Sequence, residues 1–105
     1  MNNLVDDYLR LATQWSASMS EGDFVKANVI HDEVQFLYKK IVEVGEEDTL
    51  FRCAQDGADA VQFFIASHMK KRDAARASAM YERLVGSEFP FIAVSARYIL
   101  REMKQ

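Results

Sequence analysis

The residues best suited to acid–base chemistry lie close together between positions 28 and 38. Asn28, His31, Gln35 and Tyr38 recur at intervals of three, four and three, and Asp32 follows His31 directly. On a helix this spacing forms one polar strip beside an apolar seam. In a catalytic interpretation, His31 carries a proton and is oriented by Asn28 or Asp32. We favour a structural interpretation, in which a partly buried strip anchors its helix to the next one, because no nucleophile or second acid accompanies it.

The other reactive side chains occur singly. His68 follows Ile65 by three positions and is expected at the edge of the core, and Cys53 is expected to be a small buried residue. No two histidines lie three or four apart, and no glycine-rich phosphate loop is present. The sequence therefore predicts no catalytic residue, no metal site and no cofactor.

Basic side chains form two stripes in the second half of the chain. Arg72, Arg76 and Arg83 share one helical face at the predicted fifth helix, and Arg97, Arg101 and Lys104 share another on the last helix. If the two faces lie together, they form a basic patch for an acidic protein or a nucleic acid, although an ordinary solvated helix face remains the alternative. Nucleic acid is a weaker expectation, because the net charge is −3 and no aromatic residues interleave with the basic ones.

The composition indicates one cytoplasmic domain spanning residues 1–105. The single cysteine excludes an intrachain disulfide and suggests a reducing compartment. The N-terminus lacks the basic and apolar regions of a signal peptide, and no apolar run is long enough to span a membrane. Residues 1–50 carry a net charge of −6 and residues 51–105 a net charge of +3, an asymmetry that could steer a charged partner.

Apolar residues at helical spacing predict an all-α fold. The expected helices cover roughly residues 3–20, 24–44, 49–55, 58–69, 74–84 and 90–103. Asp23 and Asp73 are expected to cap the second and fifth helices, Gly45 to end the second, and Pro90 to begin the last. The two long helices should form an antiparallel hairpin, and the four short ones two stacked pairs of the HEAT type.

Three segments carry a resemblance to a known family. Glu21–Asp32 resembles a "GD…AN…hD" opening, Phe91–Glu102 resembles a closing "sA…L.e" helix, and Asp73–Arg76 falls where the penultimate helix begins. These patterns are similar to those of small bacterial HEAT-like proteins, the domain of unknown function numbered two thousand and nineteen. The resemblance implies an all-helical HEAT-like fold and a bacterial source. It implies no activity, and Asn28 is only a matching position.

These features favour a non-catalytic protein-binding module, by analogy of class a toxin-neutralising immunity protein or an adaptor. The alternative is a small enzyme or ligand-binding domain with a polar pocket around Asn28, His31 and Asp32. Self-association into a homodimer through the long hairpin is a third possibility. A membrane partner is not expected.

Overall fold

Six α-helices account for most of the residues that the structure describes. The computed structural model describes residues 3–104, apart from the side chain of Asp56. The helices are Leu4–Ser20 (α1), Phe24–Glu43 (α2), Glu47–Arg52 (α3), Asp59–Met69 (α4), Ala74–Leu84 (α5) and Pro90–Met103 (α6), and a 3₁₀ helix at Cys53–Asp56 follows α3. No strand occurs within residues 3–104, so the all-α prediction is confirmed.

Side-chain caps begin three of the helices. The carboxylates of Asp23 and Asp73 each accept a hydrogen bond at 3.1 Å from the backbone N–H three residues later, as predicted. Asn3 caps α1 in a related way, because its Oδ1 accepts from the N–H of Val5 at 2.8 Å. Pro90 is the first residue of α6, where its missing N–H costs no hydrogen bond.

Glycine in the left-handed region ends both long helices. Gly22 has a φ of 78° and Gly45 a φ of 76°. Each follows the helix cap, and the residue after each glycine donates its N–H to a carbonyl five positions earlier, at 2.9 Å. This geometry satisfies the last carbonyls of α1 and α2 and turns the chain sharply. Val44, the cap residue of α2, is exposed.

The third helix differs most from its prediction. It begins at Glu47 and ends at Arg52, and the next four residues tighten into the 3₁₀ helix. Glu47 and Asp48 lie in its first turn, where carboxylates interact favourably with the helix dipole. The buried amide of Gln62 donates to the Ala54 carbonyl at 3.0 Å, which holds the 3₁₀ segment against α4.

Helix α4 lies at the centre of the molecule and contacts α1, α3, α5 and α6. Seven of its eleven residues are buried, which leaves it without a wide polar face, as expected for a helix covered by neighbours on most sides. Three aromatic rings pack around Trp15 of α1, with centroids 5.1–5.7 Å from that of Trp15. They belong to Phe63 and Phe64 of α4 and to Phe91 of α6. Among the described residues, no helix is long and apolar enough to cross a membrane.

We predict that Gly45→Ala lowers the free energy of unfolding by about 1 kcal/mol, because an L-residue is strained at this φ. A Cβ at Gly45 would meet no atom within 4 Å, so strain is the only cost. Gly86→Ala is the matched control: Gly86 does not have a positive φ, and its added Cβ would lie 3.7 Å from the Arg83 carbonyl oxygen, an ordinary contact. Urea denaturation of both variants measures the difference, and equal losses would contradict the strain argument.

Candidate functional site

The imidazole of His68 is hydrogen-bonded through both of its nitrogens. Nδ1 lies 2.7 Å from the Tyr8 hydroxyl and Nε2 lies 2.7 Å from Oε1 of Gln35. An amide oxygen can only accept, so Nε2 carries the proton and Nδ1 accepts from Tyr8. His68 on α4 thereby connects α1, which carries Tyr8, with α2, which carries Gln35.

A second set of contacts continues from His68 to the third helix. The ring of Tyr38 stacks on the His68 ring with centroids 3.9 Å apart and planes within 4°. Its hydroxyl donates to the Glu47 carboxylate, which also accepts from Arg72. Arg72 forms a further ion pair with Asp48 at 2.9 Å. We call Tyr8, Gln35, Tyr38, Glu47, His68 and Arg72 the His68 network.

Burial keeps the centre of this network neutral. Desolvation, with a smaller contribution from the nearby His31, lowers the pKa of His68 to about 4. Burial also raises the pKa of Tyr8, and burial together with the hydrogen bond to Glu47 raises that of Tyr38. At neutral pH His68 is therefore uncharged, and both of its nitrogens are occupied by protein groups. This arrangement suits a structural role better than proton transfer.

The residues of the predicted polar strip on α2 fall into two groups, one hydrogen-bonded to other helices and one exposed. Gln35 and Tyr38 belong to the His68 network, and Tyr38 contacts α3 through Glu47. Asn28 is exposed, and the side chains of His31 and Asp32 are 48% and 87% exposed, with His31 Nδ1 3.8 Å from Asp32 Oδ1. The expectation of a partly buried His31 is not met, since that ring lies at the solvent edge beside Phe64. The partly buried histidine is His68.

Sequence reasoning placed His68 at the core edge but did not identify its partners. The sequence did not single out the hydroxyl of Tyr8, although a buried tyrosine hydroxyl usually needs a partner. This need for a hydrogen-bond partner is the signal that the sequence contains, but it does not identify which polar residue of the chain is the partner. The Tyr8 and His68 positions are separated by 60 residues. Their pairing depends on how α1 packs against α4.

A cavity of about 420 Å³ opens beside the His68 network. Its walls include Gln35, Tyr38, Ser67 and His68, and the lysines at its rim are Lys39, Lys70 and Lys71. Asn28, His31 and Asp32, the residues of the pocket suggested by sequence, do not line it. Lysine ammonium groups at the rim could attract an anionic group, whereas the histidine below has no free nitrogen to offer.

Three of the predicted basic residues line a groove between α3 and α5. A cavity of about 580 Å³ is lined by Asp48, Phe51, Arg52, Met69, Arg72, Asp73 and Arg76. A second cavity of about 190 Å³ shares Arg76 with the first and adds Arg83 and Met80. Arg76 also donates to the Phe51 carbonyl at 3.3 Å. We call this surface, with Arg52, Arg72, Arg76 and Arg83, the arginine groove.

The basic residues of the last helix lie elsewhere. Arg97, Arg101 and Lys104 are exposed on α6 and line none of these three cavities. Two exposed apolar residues, Val94 and Tyr98, accompany them. The two basic stripes that helical spacing predicts therefore lie on surfaces of different shape. One lines a concave groove, and the other does not.

The remaining candidate ligands are dispersed. Cys53 is partly buried, and its thiol lies 3.4 Å from the Thr49 carbonyl oxygen. Among the side chains that the structure describes, no three His, Cys, Asp or Glu residues are grouped so that they could hold a metal ion.

Comparison with protein-family models, with curated proteins and with solved structures finds no match to this chain. The resemblance to the HEAT-like family therefore stays a prediction.

Two fully buried tyrosines provide a test of the hydrogen bond to His68. Tyr8→Phe should lower the free energy of unfolding by about 1–3 kcal/mol, because it leaves Nδ1 of His68 without a donor. Tyr81→Phe should leave it unchanged or raise it by up to about 1 kcal/mol, because the Tyr81 hydroxyl has no hydrogen-bond partner among the described residues. Chemical denaturation measures both variants, and a larger loss for Tyr81→Phe would contradict the assignment.

We also predict that His68 makes stability depend on pH. Below pH 6.5 the unfolded chain binds a proton at His68 that the folded chain does not bind until about pH 4. The free energy of unfolding should therefore fall as the pH is lowered through this range, by up to about 3 kcal/mol from this residue. Denaturation between pH 4 and 7 should show a flatter profile for His68→Gln than for the wild type.

The exposed His31 supplies the control for the pH experiment. His31→Gln should retain most of the wild-type pH dependence and change stability at pH 7 by less than about 0.5 kcal/mol. If His31→Gln flattened the profile and His68→Gln did not, the assignment of the titrating residue would be wrong.

Proposed function

We propose that the protein is a non-catalytic protein-binding module whose arginine groove binds an acidic segment of a protein partner. In this proposal it acts as an immunity protein or an adaptor of bacterial origin, which sequesters or positions one partner. The observation that carries the proposal is the concave surface that α5 forms with α3 and the 3₁₀ helix, where four arginines line two cavities that meet at Arg76.

The chemistry of the groove favours a protein ligand. The side chains of Phe51 and Met69 close the base of the groove, where Phe51 is 5% exposed and Met69 is fully buried, and the guanidinium of Arg72 lies 5.8 Å from the centre of the Phe51 ring. Arginine and aromatic residues beside a pocket are the types that dominate binding energy at protein interfaces. Guanidinium groups bind carboxylates with two parallel hydrogen bonds, which favours aspartate and glutamate side chains in the partner.

The arginines of the groove are not equally available. Arg72 is held by Glu47 and Asp48, and hydrogen bonding to these carboxylates raises its pKa. Arg83 forms no ion pair with any described residue, and Arg76 is bonded only to a neutral carbonyl group. We therefore expect Arg76 and Arg83 to bind the partner, while Arg72 maintains the wall of the groove.

The state of His68 supports the non-catalytic part of the proposal. A general base needs a free nitrogen within reach of its substrate, and both nitrogens of His68 are engaged. His31 is accessible, but its one charged neighbour is Asp32, at 3.8 Å, and the described cavities do not include it. A pocket around Asn28, His31 and Asp32, the alternative suggested by sequence, receives less support.

The proposal includes the arrangement of a long hairpin followed by two HEAT-like helix pairs. Helices α1 and α2 are joined by three residues and pack together, which supports the hairpin. Helix α5 packs against both α4 and α6, so consecutive short helices are neighbours, as in stacked helical repeats.

Charge reversal in the groove tests the function. We predict that replacing Arg76 and Arg83 together with Glu weakens binding of the native partner at least about tenfold, because like charges then face each other across the interface. The partner is first captured with the wild-type protein from cells that express it and is identified by mass spectrometry. Its affinity for both proteins is then measured by surface plasmon resonance across a salt series, where wild-type binding should weaken as ionic strength rises.

The basic stripe of α6 provides the matched control. Replacing Arg97 and Arg101 with Glu makes the same change in net charge outside the groove and should leave the affinity within about threefold of wild type. Circular dichroism must show that both variants remain folded. If the α6 variant lost binding and the groove variant kept it, the groove would not be the binding site.

A further inference from the structure

The outer face of α2 carries an apolar stripe that no part of the described chain covers. Ala27, Ile30, Val34 and Ile41 face the core, whereas Val25, Val29 and Phe36 lie on the opposite side of the helix and are all more than half exposed. At 3.6 residues per turn these three residues share one face with Asp32 and Lys40. The stripe offers exposed apolar surface on which another helix could pack.

The charges along this face are arranged symmetrically about Phe36. Asp32 lies four residues before it and Lys40 four residues after it. Asp32 is almost fully exposed, and the Lys40 ammonium lies 4.7 Å from the centre of the Phe36 ring. On this face the charge nearest to the exposed ring is thus negative on its N-terminal side and positive on its C-terminal side, and Glu43 lies three residues after Lys40.

We propose that this face binds a second copy of the chain, with the two α2 helices antiparallel and their Phe36 rings at the centre. Because Asp32 and Lys40 are equally distant from Phe36, this arrangement places each Lys40 opposite Asp32 of the second copy. A parallel arrangement would instead place Asp32 opposite Asp32 and Lys40 opposite Lys40. The charge pattern is therefore complementary to itself in one orientation and repulsive in the other.

The contact has a limited size. Helix α2 has 20 residues and is roughly 30 Å long. Two single helices in contact form an interface at the low end of the range for specific complexes, so the dimer is a weak one that exchanges with the monomer. Phe36 supplies its centre, and Val29 lies opposite the methylene groups of Glu43 from the second copy. The surface contains no residue of the arginine groove, and the two proposals stand or fall separately.

Sedimentation equilibrium tests the proposal between about 10 µM and about 1 mM protein, which covers weak association. The wild type should rise from the monomer mass of 12.0 kDa towards twice that value as the concentration increases. Phe36→Glu should remain at 12.0 kDa throughout. Tyr98→Glu is the matched control, because Tyr98 on α6 is 60% exposed and Phe36 is 59% exposed, and it should dimerise as the wild type does.

Charge exchange tests the antiparallel geometry. Asp32→Lys and Lys40→Asp should each weaken dimerisation at least about tenfold, since each places like charges opposite one another twice in the dimer. The double variant that exchanges both charges should return to within about threefold of the wild-type dissociation constant. A monomeric wild type at the highest concentration would overturn the proposal, as would loss of dimer in Tyr98→Glu or failure of the double variant to recover.

Discussion

The arrangement of the helices depends on the requirement that a buried imidazole be neutral and hydrogen-bonded through both nitrogens. His68 lies near the end of α4, where its ring meets α1 on one side and α2 on the other. An unpaired nitrogen at this position would lose its bonds to water without replacement, so Tyr8 and Gln35 have to be in place together. Packing of apolar side chains holds α1 and α2 on α4, and these two directional bonds add a constraint on their positions along it.

The same constraint extends to the arginine groove. Tyr38 stacks on His68 and holds Glu47, and Glu47 in turn holds Arg72 at one wall of the groove. The short α3, with only six residues, has little stability of its own and depends on such contacts for its position. The proposed binding surface is therefore supported by residues that do not belong to it.

Local features of the chain were predictable, and contacts between distant elements were not. Helix boundaries followed from apolar periodicity and from the caps at Asp23 and Asp73, because each involves residues only a few positions apart. The basic stripes were recognised for the same reason. Their different shapes were not, since the groove forms only when α3 packs beside α5 and brings Phe51 under the arginines. The partners of His68 also come from other helices, so no spacing in the sequence identifies them.

The burial of α4 has a consequence for how the molecule unfolds. Because α4 contacts α1 as well as the last two helices, the two ends of the chain share one set of apolar neighbours. Trp15 and Phe91, from opposite ends, touch each other and pack beside Phe63 and Phe64 of α4. Neither end can detach without exposing the same aromatic rings to water, which makes partial opening costly. Such sharing favours a cooperative transition, in which the backbone amides of α4 exchange with solvent only when the whole chain opens.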